Sequence, residues 1–337
     1  MPFDSSQTLN FGINSPKSLP DPPSHADIYQ ARLILDRYFP KTPLVYSDAL
    51  SEEFDADVYL KRDDVLPTGA FKIRGGLVLA NELSKQSEST TLVTASTGNH
   101  GQSISYASRE LDIPAEIVVP DGANESKVRA MERLSATVRH HGESMDEAFA
   151  YAQKLAKEES FTFVHPANTA EIISGVATSG LEVVQDLPEV DTVFVPVGSG
   201  SYASGYCLTA GMLADADVVA VQSEGADAAY QAWQSGRLDS IDEVTTFAEG
   251  IAIGTPFELT SHILQELLCD FICVSDDDLR EAIKLMLTEE HILAEAAGVA
   301  SVAGAAACQN QIEEQTVVLP ICGRNLSDEK LQSVIKP

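Results

Sequence analysis

Positively charged residues are scarce in this sequence. Its 337 residues include 22 lysines and arginines against 51 aspartates and glutamates, which gives a formal net charge of −29. A surface so acidic repels nucleic acids and anionic membranes, so we expect neither as a partner. The acidic residues are spread along the chain, and the hydrophobic share is an ordinary 44%. This combination predicts a folded protein from a salt-loving source, and the alternative is an ordinary acidic cytosolic enzyme.

Cysteines and long apolar runs are also few or absent. The cysteine count is odd and includes no C-x-x-C pair, which argues against a disulfide framework and against a zinc ribbon. The sequence contains no run of about 18 apolar residues, which is the length that a membrane-spanning helix needs. The start, "MPFDSSQTLN", lacks the basic and apolar regions of a signal peptide, so we expect a cytoplasmic protein. The five cysteines are Cys207, Cys269, Cys273, Cys308 and Cys322.

Short valine-rich runs alternate with longer amphipathic stretches. Runs that are apolar on successive residues are typical of parallel strands covered on both faces, so the sequence predicts an α/β fold. Nine strands suit two sheets better than one, and the absence of a linker favours a second domain inserted into the first. We also predict a helix over 275–292, capped by Ser275. The predicted strands are 57–61, 91–95, 115–119, 136–141, 161–164, 192–197, 217–222, 271–274 and 316–320.

Four chemically unusual loops follow predicted strands, where parallel sheets bind their ligands. In "GSGSYASG", glycines let backbone N–H groups converge at a helix start, which favours phosphate binding. The loop also fits a loose dinucleotide pattern from Gly198 to Ala203, with Glu224 as the acidic residue, and a purely structural turn is a further alternative. The four loops are "PTGAFKIRGG" at 67–76, "STGNHGQ" at 96–102, "GSGSYASG" at 198–205 and "CGRN" at 322–325.

Two of these loops suggest more specific chemistry. "STGNHGQ" opens a helix whose free N–H groups suit a carboxylate, and the alternative is that Ser96 or Thr97 caps that helix. Lys72 lies at a helix start, where its charge opposes the helix dipole, and its flanking residues indicate a packed site. A packed amine can form a Schiff base with an aldehyde cofactor, and its positive charge suits a phosphate.

Together the motifs "GAFKIRGG", "ASTGNHGQ", "VGSGSYASG" and "CGRN" resemble those of the fold-type II pyridoxal-phosphate enzymes. Over about residues 20–330 the sequence is similar to the threonine dehydratase and serine racemase branch. The resemblance implies a tryptophan synthase β-like fold with two open parallel-sheet domains. We expect 88–167 to form the smaller domain, inserted between the two parts of the larger one, 1–87 and 168–337. It also implies a homodimer or homotetramer.

The resemblance implies specific roles. Lys72 would bind pyridoxal phosphate covalently and act as the base at Cα, Phe71 would stack on the cofactor ring, Asn99 would bond its phenolic oxygen, and Cys322 would face its pyridine nitrogen. The phosphate would be wrapped by Gly198, Ser199, Gly200, Ser201 and Tyr202. The substrate carboxylate would be held, largely by backbone donors, by Ser96, Thr97, Gly98, Asn99 and His100.

The implied reaction is β-elimination of ammonia from a small amino acid: L-threonine to 2-oxobutanoate, or L-serine to pyruvate. A neutral Cys322 thiol makes a weak ring partner, which favours prompt loss of a β-substituent. Serine racemases carry a serine base where this chain has Thr97, so racemisation is less expected. Open alternatives are a threonine synthase-like enzyme, a serine racemase, a 3-hydroxyaspartate ammonia-lyase and, in another class, a dinucleotide-binding oxidoreductase.

The metal site of the relatives is not expected in this chain. Its matching positions are Gln222, Ala226 and Ala228, which offer no charged oxygen ligand, although Glu224 and Asp227 lie close by. A helix start is the expected role of that segment. Glu295 matches a glutamate of the family, and no role is assigned to it. The chain ends soon after "CGRN", so we expect no appended regulatory domain.

Overall fold

The computed structural model describes residues 21–86 and 90–335, so the N-terminal stretch discussed above lies outside the described residues. The described backbone forms an α/β architecture of ten strands and fourteen α-helices. The strands are β1 (Leu44–Tyr46), β2 (Asp57–Lys61), β3 (Leu92–Ala95), β4 (Ala115–Val119), β5 (Thr137–His140), β6 (Thr162–Phe163), β7 (Thr192–Pro196), β8 (Asp217–Ser223), β9 (Asp270–Val274) and β10 (Thr316–Pro320).

The strands form two sheets, as the sequence predicts. The larger sheet has the order β1-β2-β10-β7-β8-β9, and the smaller has the order β5-β4-β3-β6. Every pairing is parallel except that of β1 with β2. All nine predicted strands are present, which confirms the α/β fold with parallel sheets. The prediction missed β1, whose three residues are too few to show a pattern.

The helices cover both faces of the sheets. The α-helices are α1 (His25–Leu35), α2 (Asp48–Phe54), α3 (Ile73–Gln86), α4 (Asn99–Leu111), α5 (Glu125–Arg133), α6 (Met145–Glu158), α7 (Ala170–Asp186), α8 (Ser201–Tyr206), α9 (Met212–Ala214), α10 (Ala228–Ser235), α11 (Glu258–Leu267), α12 (Asp276–Thr288), α13 (Ala300–Ala307) and α14 (Asp328–Ile335). Among the described residues, no helix combines the length and the hydrophobicity needed to cross a bilayer.

The helix predicted over 275–292 begins as expected but ends earlier. Ser275 and Asp278 form a capping box at the start of α12. The helix stops at Thr288, four residues before the predicted end. His291 then takes a left-handed φ of 56° and turns the chain away.

The order of the strands places the smaller sheet inside the sequence of the larger. The chain leaves the larger sheet after β2, builds β3 to β6, and returns to the larger sheet at β7. The domain limits at 87/88 and 167/168 remain a prediction. Helix α3 packs against both α4 and α7, so it lies between the parts of the chain that carry the two sheets.

Candidate active site

Lys72 immediately precedes α3. Its carbonyl accepts the Gly76 N–H at 3.1 Å, which places it at the helix start that the sequence predicts. Lys72 Nζ donates to Ser199 Oγ at 3.2 Å and lies 5.0 Å from the Phe71 ring centroid. Burial lowers the pKa of Lys72 to about 8, because the charged amine loses its hydration. The amine is therefore nucleophilic closer to neutral pH than an ordinary lysine.

Ser199 belongs to a loop between β7 and α8 that we call the cradle (residues 198–202). Gly200 has φ 83°, and a Cβ there would lie 2.8 Å from Thr260 Oγ1. A Cβ at Gly198 would lie 2.6 Å from the Gly250 carbonyl oxygen. Thr260 Oγ1 donates to the Ser199 carbonyl at 2.9 Å, which fixes the loop from outside. No side chain caps α8, so its first N–H groups are free for an anion.

The loop before α4 leaves its helix start uncapped as well. The N-cap residue is Gly98, and no side chain bonds to the first turn of α4. Ser96 Oγ instead accepts the Gly98 N–H at 3.1 Å, and Thr97 is half-buried in the loop. The alternative in which Ser96 or Thr97 caps this helix is therefore wrong. The N–H groups at the start of α4 can meet a substrate carboxylate.

The ring of His100 is directed into the smaller sheet. It is buried, and its Nε2 lies 3.2 Å from Thr94 Oγ1 on β3. Burial, with the positive charge of Lys72, lowers the pKa of His100 to about 3, so the imidazole is neutral. Its ring packs inside the protein, which leaves the backbone N–H as its means of binding a carboxylate.

The side-chain amide of Asn99 is held in one orientation by two distant residues. Asn99 Nδ2 donates to Glu295 Oε1 at 2.6 Å, and Asn325 Nδ2 donates to Asn99 Oδ1 at 2.7 Å. Asn325 also donates to the Thr68 carbonyl at 2.9 Å. Because Asn99 Oδ1 accepts, both hydrogens on Nδ2 can donate, and only one of them meets Glu295. No role was predicted for Asn325 or Glu295, although Asn325 is part of the "CGRN" motif.

Cys322 lies just beyond β10 and has 4% of its surface exposed. Its Sγ donates to the Ala297 carbonyl at 3.3 Å. Burial, together with the nearby Glu295 carboxylate, raises the pKa of the thiol well above its usual range. The Cys322 carbonyl accepts the Phe71 N–H at 3.0 Å, which joins this loop to the segment carrying Lys72. Cys322 is thus a neutral thiol beside the lysine.

Tyr202 takes part in the cradle through its backbone only. Its side chain is buried, and its ring centroid lies 4.0 Å from that of Phe71 at an interplanar angle of 31°. The Tyr202 hydroxyl donates to Asp63 Oδ2 at 2.8 Å. Phe71, expected to stack on a cofactor ring, therefore also packs on a residue that supports the cradle.

Arg74 lies two residues after Lys72 but belongs to a separate group of charges. Arg74 donates to Asp63 Oδ1 and to Glu182 Oε1, each at 2.8 Å, and Lys61 Nζ donates to Glu182 Oε2 at 2.7 Å. We call these four side chains, Lys61, Asp63, Arg74 and Glu182, the buried ion network, since each has 0% of its surface exposed. The sequence prediction missed this network, because only the "FKIR" segment hinted at a buried cation.

The segment matching the relatives' metal site begins a helix, as expected. Gln222 is the next-to-last residue of β8 and is fully buried, with Oε1 accepting the Tyr230 N–H at 3.1 Å. A 3-10 turn over Glu224–Ala226 leads into α10. In the described part of the chain, no group of three or more His, Cys, Asp or Glu side chains could hold a metal ion.

Comparison with known proteins gives consistent matches over most of the chain. A family model described as "Pyridoxal-phosphate dependent enzyme" matches residues 35–323. The L-threonine ammonia-lyase of Thermotoga maritima is 33% identical over 310 residues, covering 92% of this chain and 77% of that protein. The chain spans only 49 to 58% of the length of three further dehydratases of Pasteurella multocida, Nicotiana attenuata and Solanum lycopersicum.

Two solved structures match the fold with a TM-score of 0.87 each. One is the processed form of threonine deaminase isoform 2 from Solanum lycopersicum, 27% identical, with 94% of this chain and 96% of that chain covered. The other is maize serine racemase, 25% identical, with 93% and 97% covered. The fold is thus shared by a deaminase and a racemase.

Proposed function

Since the chain belongs to the family of pyridoxal-phosphate dependent enzymes, we propose that it is an ammonia-lyase acting on L-threonine and L-serine. Its products would be ammonia with 2-oxobutanoate or pyruvate. The name of the Thermotoga maritima relative, similar over 92% of this chain, supports this assignment. The observation that carries it is the amine of Lys72, with a pKa of about 8, at 3.2 Å from the cradle serine Ser199.

The residues present fit pyridoxal phosphate. Lys72 would hold its aldehyde, and the uncapped start of α8 would hold its phosphate. The free hydrogen of the Asn99 amide would meet its phenolic oxygen. Gly198 and Gly200 are required at the cradle because side chains there would strike Gly250 and Thr260. When bound, pyridoxal phosphate withdraws electrons from Cα of an amino acid joined to it.

The chain's own residues then direct the reaction. The N–H groups at the start of α4, beyond Gly98, orient the substrate carboxylate. Lys72 would be the base that takes the proton from Cα, and Ser199 lies within hydrogen-bond reach of its Nζ. A neutral Cys322 thiol would supply no charge to hold a proton on the cofactor's ring nitrogen, which favours loss of the β-hydroxyl. The hydroxyl would leave as water with the proton that Lys72 takes from Cα. Water finally replaces the amine, giving the keto acid and ammonia.

Other activities of the same fold remain the alternatives to test. The serine racemase match supports racemisation as the second candidate, because its TM-score equals that of the deaminase. A threonine synthase-like reaction and elimination from 3-hydroxyaspartate are further alternatives. The family match removes the reason for a dinucleotide-binding oxidoreductase, since pyridoxal phosphate would itself supply a phosphate group for the cradle.

One set of measurements separates these functions. Purified protein should absorb in the visible range, and borohydride should fix the cofactor on Lys72, as peptide mapping would show. L-threonine should yield 2-oxobutanoate, and L-serine should yield pyruvate with D-serine as a minor product by chiral analysis. D-serine forming faster than pyruvate, or O-phosphohomoserine replacing threonine as substrate, would overturn the proposal.

We also propose a cellular location and an oligomeric state for the enzyme. The net charge of −29 supports a salt-rich cytoplasm. Tyr29 and Leu33 on α1 are 53% and 61% exposed, and such apolar surface supports self-association as a homodimer or homotetramer. Light scattering in molar salt would give the oligomeric state.

A further inference from the structure

The buried ion network takes no part in the proposed chemistry, yet it adjoins the candidate site, because Asp63 accepts a hydrogen bond from Tyr202 of the cradle. Taking four charges out of water is expensive, and buried ion pairs often add little net stability over apolar residues of similar size. Stability alone therefore explains the network poorly. Its arrangement in the fold suggests a geometric role instead.

Asp63 joins the two segments that would hold opposite ends of the cofactor. Its Oδ1 accepts from Arg74, which lies in the first turn of α3, two residues after Lys72. Its Oδ2 accepts from the hydroxyl of Tyr202, the second residue of α8 and the last residue of the cradle. One carboxylate thus contacts both the segment that carries Lys72 and the segment that would hold the phosphate. Tyr202 lies 139 residues after Asp63 in the sequence.

We propose, on the basis of the proposed function, that Tyr202 is a positioning residue whose bond to Asp63 sets the distance between the cradle and Lys72. The cofactor's aldehyde and phosphate have a fixed separation, so a cradle held at the matching distance binds it without further ordering. The bond to a carboxylate is stronger than one between neutral groups, which suits this purpose. The packing of Phe71 on the Tyr202 ring holds the same two segments together.

Tyr206 provides a matched control one turn further along the same helical segment. It is fully buried like Tyr202, and its hydroxyl lies 2.9 Å from Ser179 Oγ. The Tyr202 hydroxyl also approaches Ser179, at 3.2 Å, but Tyr202 additionally donates to Asp63. Tyr202→Phe and Tyr206→Phe therefore each remove one buried hydroxyl group, but only Tyr202→Phe removes a hydrogen bond to the buried ion network.

The first test is hydrogen–deuterium exchange on cofactor-free protein, so it does not depend on the proposed function. In Tyr202→Phe, amides of residues 198–204 should exchange about tenfold faster than in the wild type, because loss of the bond to a charged acceptor eases local opening. Tyr206→Phe should leave this segment within about twofold of the wild type. Equal exchange in both variants would overturn the positioning role. If Tyr202→Phe does not fold, Asp63→Glu can be tested in its place, because it keeps the charge but moves the carboxylate. We expect the same faster exchange of residues 198–204 in that variant.

The second test is the affinity for pyridoxal phosphate, titrated by visible absorbance. Tyr202→Phe should raise the dissociation constant about tenfold, while Tyr206→Phe should leave it near the wild-type value even if both lower the unfolding temperature equally. A wild-type protein that binds no pyridoxal phosphate would overturn the proposed function. A wild type that binds it, with Tyr202→Phe binding equally well, would overturn the positioning role alone.

Discussion

Lys72 and Arg74 are separated by one residue, and their surroundings change their acidities in opposite directions. Burial lowers the pKa of Lys72 to about 8. Burial also disfavours the charge of Arg74, but the carboxylates of Asp63 and Glu182 outweigh it and raise its pKa. One cation can therefore lose its proton near neutral pH, while the other stays charged and structural.

The pKa of Lys72 predicts how cofactor capture depends on pH. The rate at which cofactor-free protein binds pyridoxal phosphate covalently should rise with pH and level off above about 8, because only the unprotonated amine attacks. Stopped-flow absorbance between about pH 6 and pH 10 would measure it. Lys72→Ala should show no covalent band. A rate still rising towards the ordinary lysine value of 10.5 would show that burial does not depress this pKa.

Thr97 predicts the balance between elimination and racemisation. By the family resemblance it stands where serine racemases carry a serine base, and its extra methyl group would crowd the returning proton. Thr97→Ser should therefore raise the ratio of D-serine to pyruvate formed from L-serine, by chiral chromatography. Thr288→Ser at the end of α12 makes the same change far along the chain and serves as the control. An unchanged ratio in Thr97→Ser would mean that another group limits reprotonation.

The candidate site could be located from the sequence, but its supporting contacts could not. The lysine and glycine motifs are local, so Lys72 and Ser199 could be named, and the structure brings them together. Arg74 forms an ion pair with Glu182, which lies 108 residues further along the chain, and no local sequence pattern predicts this pairing. The orientation of Asn99 likewise depends on Asn325, 226 residues away.

At the level of elements, the strands were predictable because their chemistry is local. A buried parallel strand such as β7 is apolar at every position, whichever strand lies beside it. Strand β1 is exposed at two of its three residues and pairs antiparallel at the sheet edge, so it lacks that signature. Where α12 ends depended on the left-handed turn at His291, which composition does not reveal.

The turn between β7 and α8 predicts a strong effect of Gly200→Ala. The φ of 83° is strained for alanine, and the new Cβ would lie 2.8 Å from Thr260. The cradle must then shift, so affinity for pyridoxal phosphate should fall by at least about tenfold. Gly236→Ala is the control, since its φ is 71° but its nearest neighbour atom is 3.5 Å away. Equal cofactor affinity in both variants would show that a Cβ at Gly200 does not displace the cradle.

Helix α7 carries a buried carboxylate, Glu182, and an exposed carboxylate, Asp186, one turn apart. We expect their removal to change the stability of the protein by different amounts. Glu182→Gln leaves Lys61 and Arg74 without full compensation, so it should lower the free energy of unfolding by about 3–5 kcal/mol. Asp186→Asn removes a half-exposed pair with Lys41 and should cost at most about 1 kcal/mol. Urea unfolding would measure both. Similar values for the two variants would show that the network is not electrostatically coupled.

Over the whole molecule, acidic residues outnumber basic ones by 51 − 22 = 29. This surplus determines how the stability of the protein depends on the salt concentration. Two of the few cations, Lys61 and Arg74, are fully buried in ion pairs. They cannot neutralise the surface, so the acidic side chains outside repel one another. That repulsion is a property of the composition and would not be found by inspecting any single site.

The contrast between surface and interior charges predicts the response to salt. The unfolding temperature should rise from dilute buffer to about 1 M salt. The screening length falls from roughly 30 Å at 0.01 M to about 3 Å at 1 M, and this removes the repulsion between surface carboxylates. The buried ion network lies where salt ions do not reach, so Glu182→Gln should begin lower but gain as many degrees as the wild type. Differential scanning calorimetry of both proteins across the salt series would measure this. A wild type most stable in dilute buffer would contradict the proposed adaptation to high salt, and a larger gain in Glu182→Gln would show that salt reaches the network.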